Sequence, residues 1–106
     1  MDRAILVYTT YPALVEAEQA GRALVERGLA ACANILPGMV SIYGWQGQIE
    51  RSEEVVMLVK TRAGLEGEVC AAVKEMHSYD TPAVLVLPVG HVDPDYHAWI
   101  VAQTKR

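Results

Sequence analysis

Basic residues are the minority among the charges, nine Lys and Arg against thirteen Asp and Glu, and they nowhere cluster. A chain with formal net charge -4 and no basic face has nothing with which to hold a phosphate backbone, so nucleic acid is excluded as a partner. Cysteine is scarce too. Cys32 and Cys70 cannot build a disulfide framework, and the expected setting is a reducing, cytoplasmic one. No apolar run approaches the roughly 20 residues of a membrane span. Nor is there the basic start, apolar stretch and small-residue cleavage site of a secretory leader. The expectation is a soluble chain with no membrane partner. Apolar residues, by contrast, are abundant: 52% of the 106 residues are hydrophobic. That is too many for disorder and enough for one domain spanning 1–106.

The run Ala4-Ile5-Leu6-Val7-Tyr8 reads as a buried strand, broken at Tyr11-Pro12. Leu14, Ala17, Gly21, Leu24 and Val25 then recur at helical spacing, with Glu16, Glu18, Gln19, Arg22 and Glu26 on the other faces. Gly28 can take the left-handed conformation that stops a helix. Leu29 to Ile49 reads as extended chain, with Pro37-Gly38 marking a bend or bulge because proline cannot donate to a sheet ladder. A polar reversal is expected at Glu50-Arg51-Ser52, leading into an extended Glu53 to Thr61, so that the two segments form a long hairpin. A second helix covers roughly Leu65 to Met76. Pro82 to Pro88 is a last strand, and a short helix follows with Asp93 as its cap, Pro94 at its first position, and Tyr96, Trp99 and Ile100 facing inward. The order βαββαβ plus a short C-terminal helix is the α+β, ferredoxin-like arrangement with an antiparallel sheet and a long hairpin between its second and third strands.

In such a fold both main helices cover one sheet face, so the strands should alternate apolar with polar. Residues 4–7, 55–59 and 83–87 are instead almost continuously apolar. Both faces want cover, and an uncovered apolar face is an interface or a liability. The chain is therefore expected to be a homo-oligomer packing sheet faces together. A monomer with the last helix folded across the sheet is the competing reading. Tyr43 and Trp45 on the hairpin suit an interface anchor or, alternatively, a cap on the domain's own core.

Placed in order, several segments resemble the CutA family of divalent-cation tolerance proteins: Leu29-Ala30-Ala31-Cys32-Ala33-Asn34-Ile35, Ser41-Ile42-Tyr43-Gly44-Trp45, and Glu53-Glu54 leading to Lys60-Thr61. Two more follow, His77-Ser78-Tyr79-Asp80-Thr81-Pro82 and Asp95-Tyr96-His97-Ala98-Trp99-Ile100. Together they span nearly the whole chain. The resemblance implies a ferredoxin-like fold, a homotrimer with its sheets packed into a central core, a cytoplasmic location, no enzymatic activity, and a link to copper and other divalent cations. By architecture it is also similar to trimeric signalling proteins, which suggests a small-ligand sensor or scaffold using clefts between subunits.

His77 is the leading candidate metal ligand, because neutral imidazole suits copper or zinc and Asp80 close by can add a carboxylate. The alternative is a histidine at a helix C-terminus whose charged form favours the dipole there. Cys32 offers a thiolate for copper or, among Ala30, Ala31 and Ala33, a small buried hydrophobe; Cys70 reads as core. Some CutA members carry Cys where this chain has Thr9 and His where it has Met76, so two plausible ligands are replaced here. Met76 retains a thioether for cuprous copper or packs in the core. His91 and His97 flank Asp93 and Asp95, where the cap role of Asp93 competes with weak cation binding. Glu54, Lys60, Tyr79 and Trp99, with Tyr43 and Trp45, are the residues placed at a ligand site or inter-subunit cleft. The alternative for Glu53, Glu54 and Lys60 is a set of solvated ion pairs. No Gly-x-Ser-x-Gly, Gly-x-Gly-x-x-Gly or Walker-type motif is present, so no catalytic residue is assigned.

Overall fold

A computed structural model of the chain describes residues 2–105. Strand β1 (Ala4–Tyr11) leads into helix α1 (Leu14–Glu26), and β2 (Cys32–Trp45) and β3 (Gln48–Arg62) form a long hairpin. A 3₁₀ turn (Ala63–Leu65) opens into α2 (Glu66–Met76), followed by β4 (Val84–Pro88) and α3 (Pro94–Gln103). The strands pair antiparallel in the order β2-β3-β1-β4, the sheet order of the expected ferredoxin-like α+β fold.

Register explains the core. Val7 lies opposite Val59 on one side and Val86 on the other, so alternate positions of three strands converge on one face. Ile5, Val7 and Tyr11 of β1 join Val55, Met57 and Val59 of β3 there, under Leu24 of α1 and Val69 and Val73 of α2. Each fully buried aliphatic side chain contributes roughly 1.5–3 kcal/mol. The single polar intrusion from β3 is satisfied: Thr61 Oγ1 donates to the Leu29 carbonyl at 2.7 Å.

The other face is finished unevenly. Ile100 of α3 packs with Ala4 and Ala31 at one end, but Leu36 and Leu85 stay 54% and 55% exposed. Tyr96 and Trp99, expected to face inward, are exposed on this helix as well, because α3 crosses only the edge of the face. Its cap is the expected one, Asp93 accepting the Tyr96 amide at 3.1 Å.

The hairpin corrects one expectation. The chain does not reverse at Glu50-Arg51-Ser52; those residues lie inside β3, opposite Tyr43, Ile42 and Ser41. It reverses at Gln46-Gly47, where both residues have positive φ (50° and 77°), the two-residue geometry that glycine favours. Pro37-Gly38 does mark a break, a register shift between Leu36 and Met39. Beyond that bulge the two strands form an arm without the helix layer, and the molecule measures 46 × 26 × 22 Å. Ile42, Trp45 and Ile49 are exposed along the arm.

The chain ends are clasped at the foot of the sheet. Arg62 bonds the Asp2 carboxylate at 2.9 Å, Thr104 Oγ1 at 3.0 Å and the Lys105 carbonyl. The Gly64 amide adds a second donor to Asp2 at 2.8 Å, and together these hold the Asp2 carboxyl below the usual range.

Candidate functional site

The fold sorts the chemistry-bearing residues into two groups. The first sits where β1 ends, α1 begins and α2 stops. After Met76 the backbone at His77 turns extended (φ -87°, ψ 143°) and swings the imidazole back under the helices. The ring is wholly buried, 0% exposed, and stacks on Tyr11 with centroids 4.4 Å apart and planes 14° from parallel. Both ring nitrogens are engaged. Nε2 lies 2.6 Å from the Thr10 carbonyl, and Nδ1 accepts the Tyr79 amide at 3.0 Å. A carbonyl only accepts and an amide N–H only donates, so the two contacts are those of the tautomer with its proton on Nε2. Glu16 of α1 reaches across: its carboxylate accepts the Ser78 amide at 3.1 Å and the Ser78 hydroxyl at 2.8 Å, and stands 3.8 Å from His77 Nδ1. The Tyr79 hydroxyl donates to Glu54 of β3 at 3.4 Å.

Two buried hydroxyls beside this group, Thr9 Oγ1 and Tyr11 Oη, have no hydrogen-bond partner among the described residues. Burial, followed by the Glu16 charge, pushes the Tyr11 phenol up to about 12. Burial raises Tyr79 as well, with Glu54 next in weight.

The second group lies on the open face near α3. Lys60 Nζ donates to the Tyr96 hydroxyl at 3.1 Å and stands 5.3 Å from that ring's centroid, and Tyr96 stacks on Trp99 at 5.5 Å. Cys32, opposite Lys60 in the register, brings its sulfur to 4.0 Å from the same hydroxyl. The bond to Tyr96 raises the Lys60 ammonium above its usual range, so it is a firm cation.

Sequence reasoning grouped these residues differently. His77, Cys32 and Asp80 do not form one centre: His77 is locked between Thr10 and Tyr79, Cys32 faces the Lys60–Tyr96 pair, and Asp80 is exposed on the loop after α2. Lys60 and Tyr79 do not share a pocket either, since Tyr79 meets Glu54, six residues and about 20 Å along β3 from Lys60. Trp99 does join Lys60, through Tyr96. Tyr43 and Trp45 stand exposed on the arm. His97 bonds the Asp2 carbonyl, a structural use of that ring. Burial raises the Cys70 thiol, in keeping with a core role. Tyr11, Thr10 and Glu16 were missed as partners of His77, for no spacing in the sequence joins them to it.

A resident divalent cation does not fit these donors. Binding at His77 must first break the bond to Thr10 or to Tyr79, an ammonium stands beside Cys32, and among the described residues no group of three or more His, Cys, Asp and Glu side chains converges. An open groove of about 300 Å³ between α1 and β2, lined by Gly21, Arg22, Val25, Glu26, Ala33 and Ile35, holds none of the candidates.

Comparison with known proteins gives a consistent picture. Residues 5–103 match the family described as CutA1 divalent ion tolerance protein. The divalent-cation tolerance protein CutA of Pyrococcus horikoshii is 39% identical over 102 residues, covering 96% of this chain and 99% of that one. The protein of the same description from Pectobacterium atrosepticum is 38% identical, covering 96% and 93%. Among solved structures, CutA1 of Ehrlichia chaffeensis superposes with a TM-score of 0.95 at 29% identity, covering 100% of this chain and 99% of that one. The Thermus thermophilus protein gives 0.92 at 36% identity, covering 96% and 99%.

Proposed function

We propose that this chain, which belongs to the CutA1 divalent ion tolerance family, serves divalent-cation tolerance as a non-enzymatic homotrimer, with copper among its cations. The observation that carries the assembly is the half-covered sheet face. Leu36, Leu85 and Leu87 lie exposed on it, and the arm that extends the sheet adds exposed Trp45 on this face and Ile42 and Ile49 on the other. Apolar surface of this extent calls for a covering layer, and other copies of the same face and arm supply one. Since the donors of one chain do not fit a resident cation, cation contacts fall to side chains that assembly brings together. Two free thiols, Cys32 and Cys70, suit a reducing cytoplasm.

Copper and zinc titrations by calorimetry on the metal-free protein test this, beside His77→Gln. Saturable binding that persists in the variant is the expected result. Binding abolished by His77→Gln would restore His77 as a ligand, and the absence of any saturable binding would remove cations as its direct ligands.

A second reading is favoured by Lys60, a firm cation beside two aromatic rings on the same face. Such a group at a cleft between subunits suits a small anionic metabolite, as a sensor requires. Saturable metabolite binding that Lys60→Met abolishes would support it.

A further inference from the structure

We propose that His77 is a proton-operated latch: in its neutral form it holds the Ser78–Asp80 loop and keeps Tyr79 against the root of the hairpin arm, and protonation of Nδ1 releases that loop. The two ring nitrogens have partners of opposite kind and neither partner can change its role. The Thr10 carbonyl requires a proton on Nε2, and the Tyr79 amide requires a bare Nδ1. Adding a proton to Nδ1 therefore sets one N–H against another at a ring that is itself fully buried, where an unmade hydrogen bond is costly.

The same site contains an acceptor for that proton. Glu16 stands 3.8 Å from Nδ1, beyond a hydrogen bond, and is occupied by Ser78 through the backbone amide and the hydroxyl. An imidazolium is drawn to this carboxylate, and the charge-assisted bond it makes there outweighs the neutral one from the Tyr79 amide to Nδ1. Turning Nδ1 toward Glu16 thus removes the hold of His77 on Tyr79 and puts a third donor on the carboxylate that holds Ser78. The titratable groups around the ring come from four elements, and Tyr43 of β2 adds to them beside Tyr79. Tyr11 stacks on it from β1, Glu16 approaches from α1, Tyr79 follows from the loop, and Glu54 of β3 is reached through the Tyr79 hydroxyl.

The outlet of the latch is the arm. Glu54 pairs with Met39, the first pair beyond the bulge, so the Tyr79–Glu54 bond ties the loop to the point where the arm leaves the sheet. Neutral His77 fixes that tie and charged His77 frees it. This use of His77 is independent of the function proposed above, since it needs neither a cation nor a second chain.

Nuclear magnetic resonance on the full-length protein tests it. At about pH 8 the ring should carry its proton on Nε2. On titration to about pH 5, a window in which imidazoles change charge, the His77 ring and the Tyr79 and Ser78 amides should shift with one common midpoint. In His77→Gln, which retains a donor and an acceptor without a titrating ring, the two amides should stay still across this window. In Glu16→Gln, which keeps acceptor oxygen but no charge, the common midpoint should move to lower pH; this arm decides the matter if His77→Gln does not fold. A proton on Nδ1 at pH 8, a ring that does not titrate above pH 5, or a ring that titrates while the Tyr79 amide stays still would each overturn the latch.

Discussion

The two faces of the sheet are built from the same strands and finished in opposite ways. On the helix side Val7, Met57 and Val59 are fully buried under α1 and α2, within one chain. On the other side Leu36 and Leu85 are more than half exposed, and α3 covers only the end near Ala4 and Ala31. Strands that are apolar at nearly every position therefore make one face that a single chain completes and one that it leaves open. The difference teaches that continuous apolarity here exceeds what folding of one chain buries, and the proposed assembly is what would bury the remainder.

The sharpest way to break the comparison is to truncate one large side chain on each face. Met57→Ala opens a cavity in the closed core and is expected to cost about 3 kcal/mol in urea unfolding at fixed chain concentration. Leu85→Ser should leave the fold of the separated chain within about 0.5 kcal/mol while lowering the mass of the assembly in light scattering. Equal losses of fold stability from the two would erase the distinction between faces.

Smaller effects distinguish satisfied from unsatisfied polar groups within the closed core. Thr61→Val strips the donor from the Leu29 carbonyl and should cost about 2 kcal/mol in the same assay. Tyr11→Phe removes a buried hydroxyl that has no partner among the described residues, so near neutral pH it should leave stability unchanged or higher. Its effect grows in alkali. The folded phenol ionises only near about 12, above the ordinary 10.0, so the unfolded chain loses this proton first. Stability of the wild type should therefore fall between about pH 10 and 12, by up to about 2 kcal/mol, and Tyr11→Phe should be spared that share of the loss.

The smallest effect concerns the clasp at the foot of the sheet. The Asp2 carboxyl is held low by Arg62 and by the Gly64 amide, so its contribution is present above the unfolded value of 3.8 and is lost as pH falls through the folded one. Asp2→Asn should flatten this part of the acid unfolding curve without altering the alkaline side.

Much of the fold was legible in the sequence. The apolar runs at 4–7 and 55–59, the helical stripe ending at Gly28 and the Asp93-Pro94 start lie where local chemistry placed them, while the last strand begins at Val84, two residues after the expected Pro82. The turn at Gln46-Gly47 was misjudged because Glu50-Arg51-Ser52 is polar, and polarity in an arm exposed on both sides reports solvent rather than chain reversal. Gly47, the residue type that takes the positive φ found there without strain, was the better signal. The site was half legible. His77 and Tyr79 stood out in one short segment, but their partners Thr10, Tyr11 and Glu16 come from the opposite end of the chain. Only the sheet register and the packing of α1 beside α2 bring them together, and no local pattern encodes that approach. The candidate ligands His77, Cys32 and Asp80 lie apart for a related reason, since residue types that suit copper carry no information on where the fold puts them or on whether their lone pairs are engaged.

The central claim is that the open face is an interface between copies of this chain. Light scattering on the wild-type protein across micromolar chain concentrations tests it most directly. The account predicts one species at three times the 11.6 kDa chain mass. A stable species at the mass of a single chain, with Leu36 and Leu85 left in water, would contradict it.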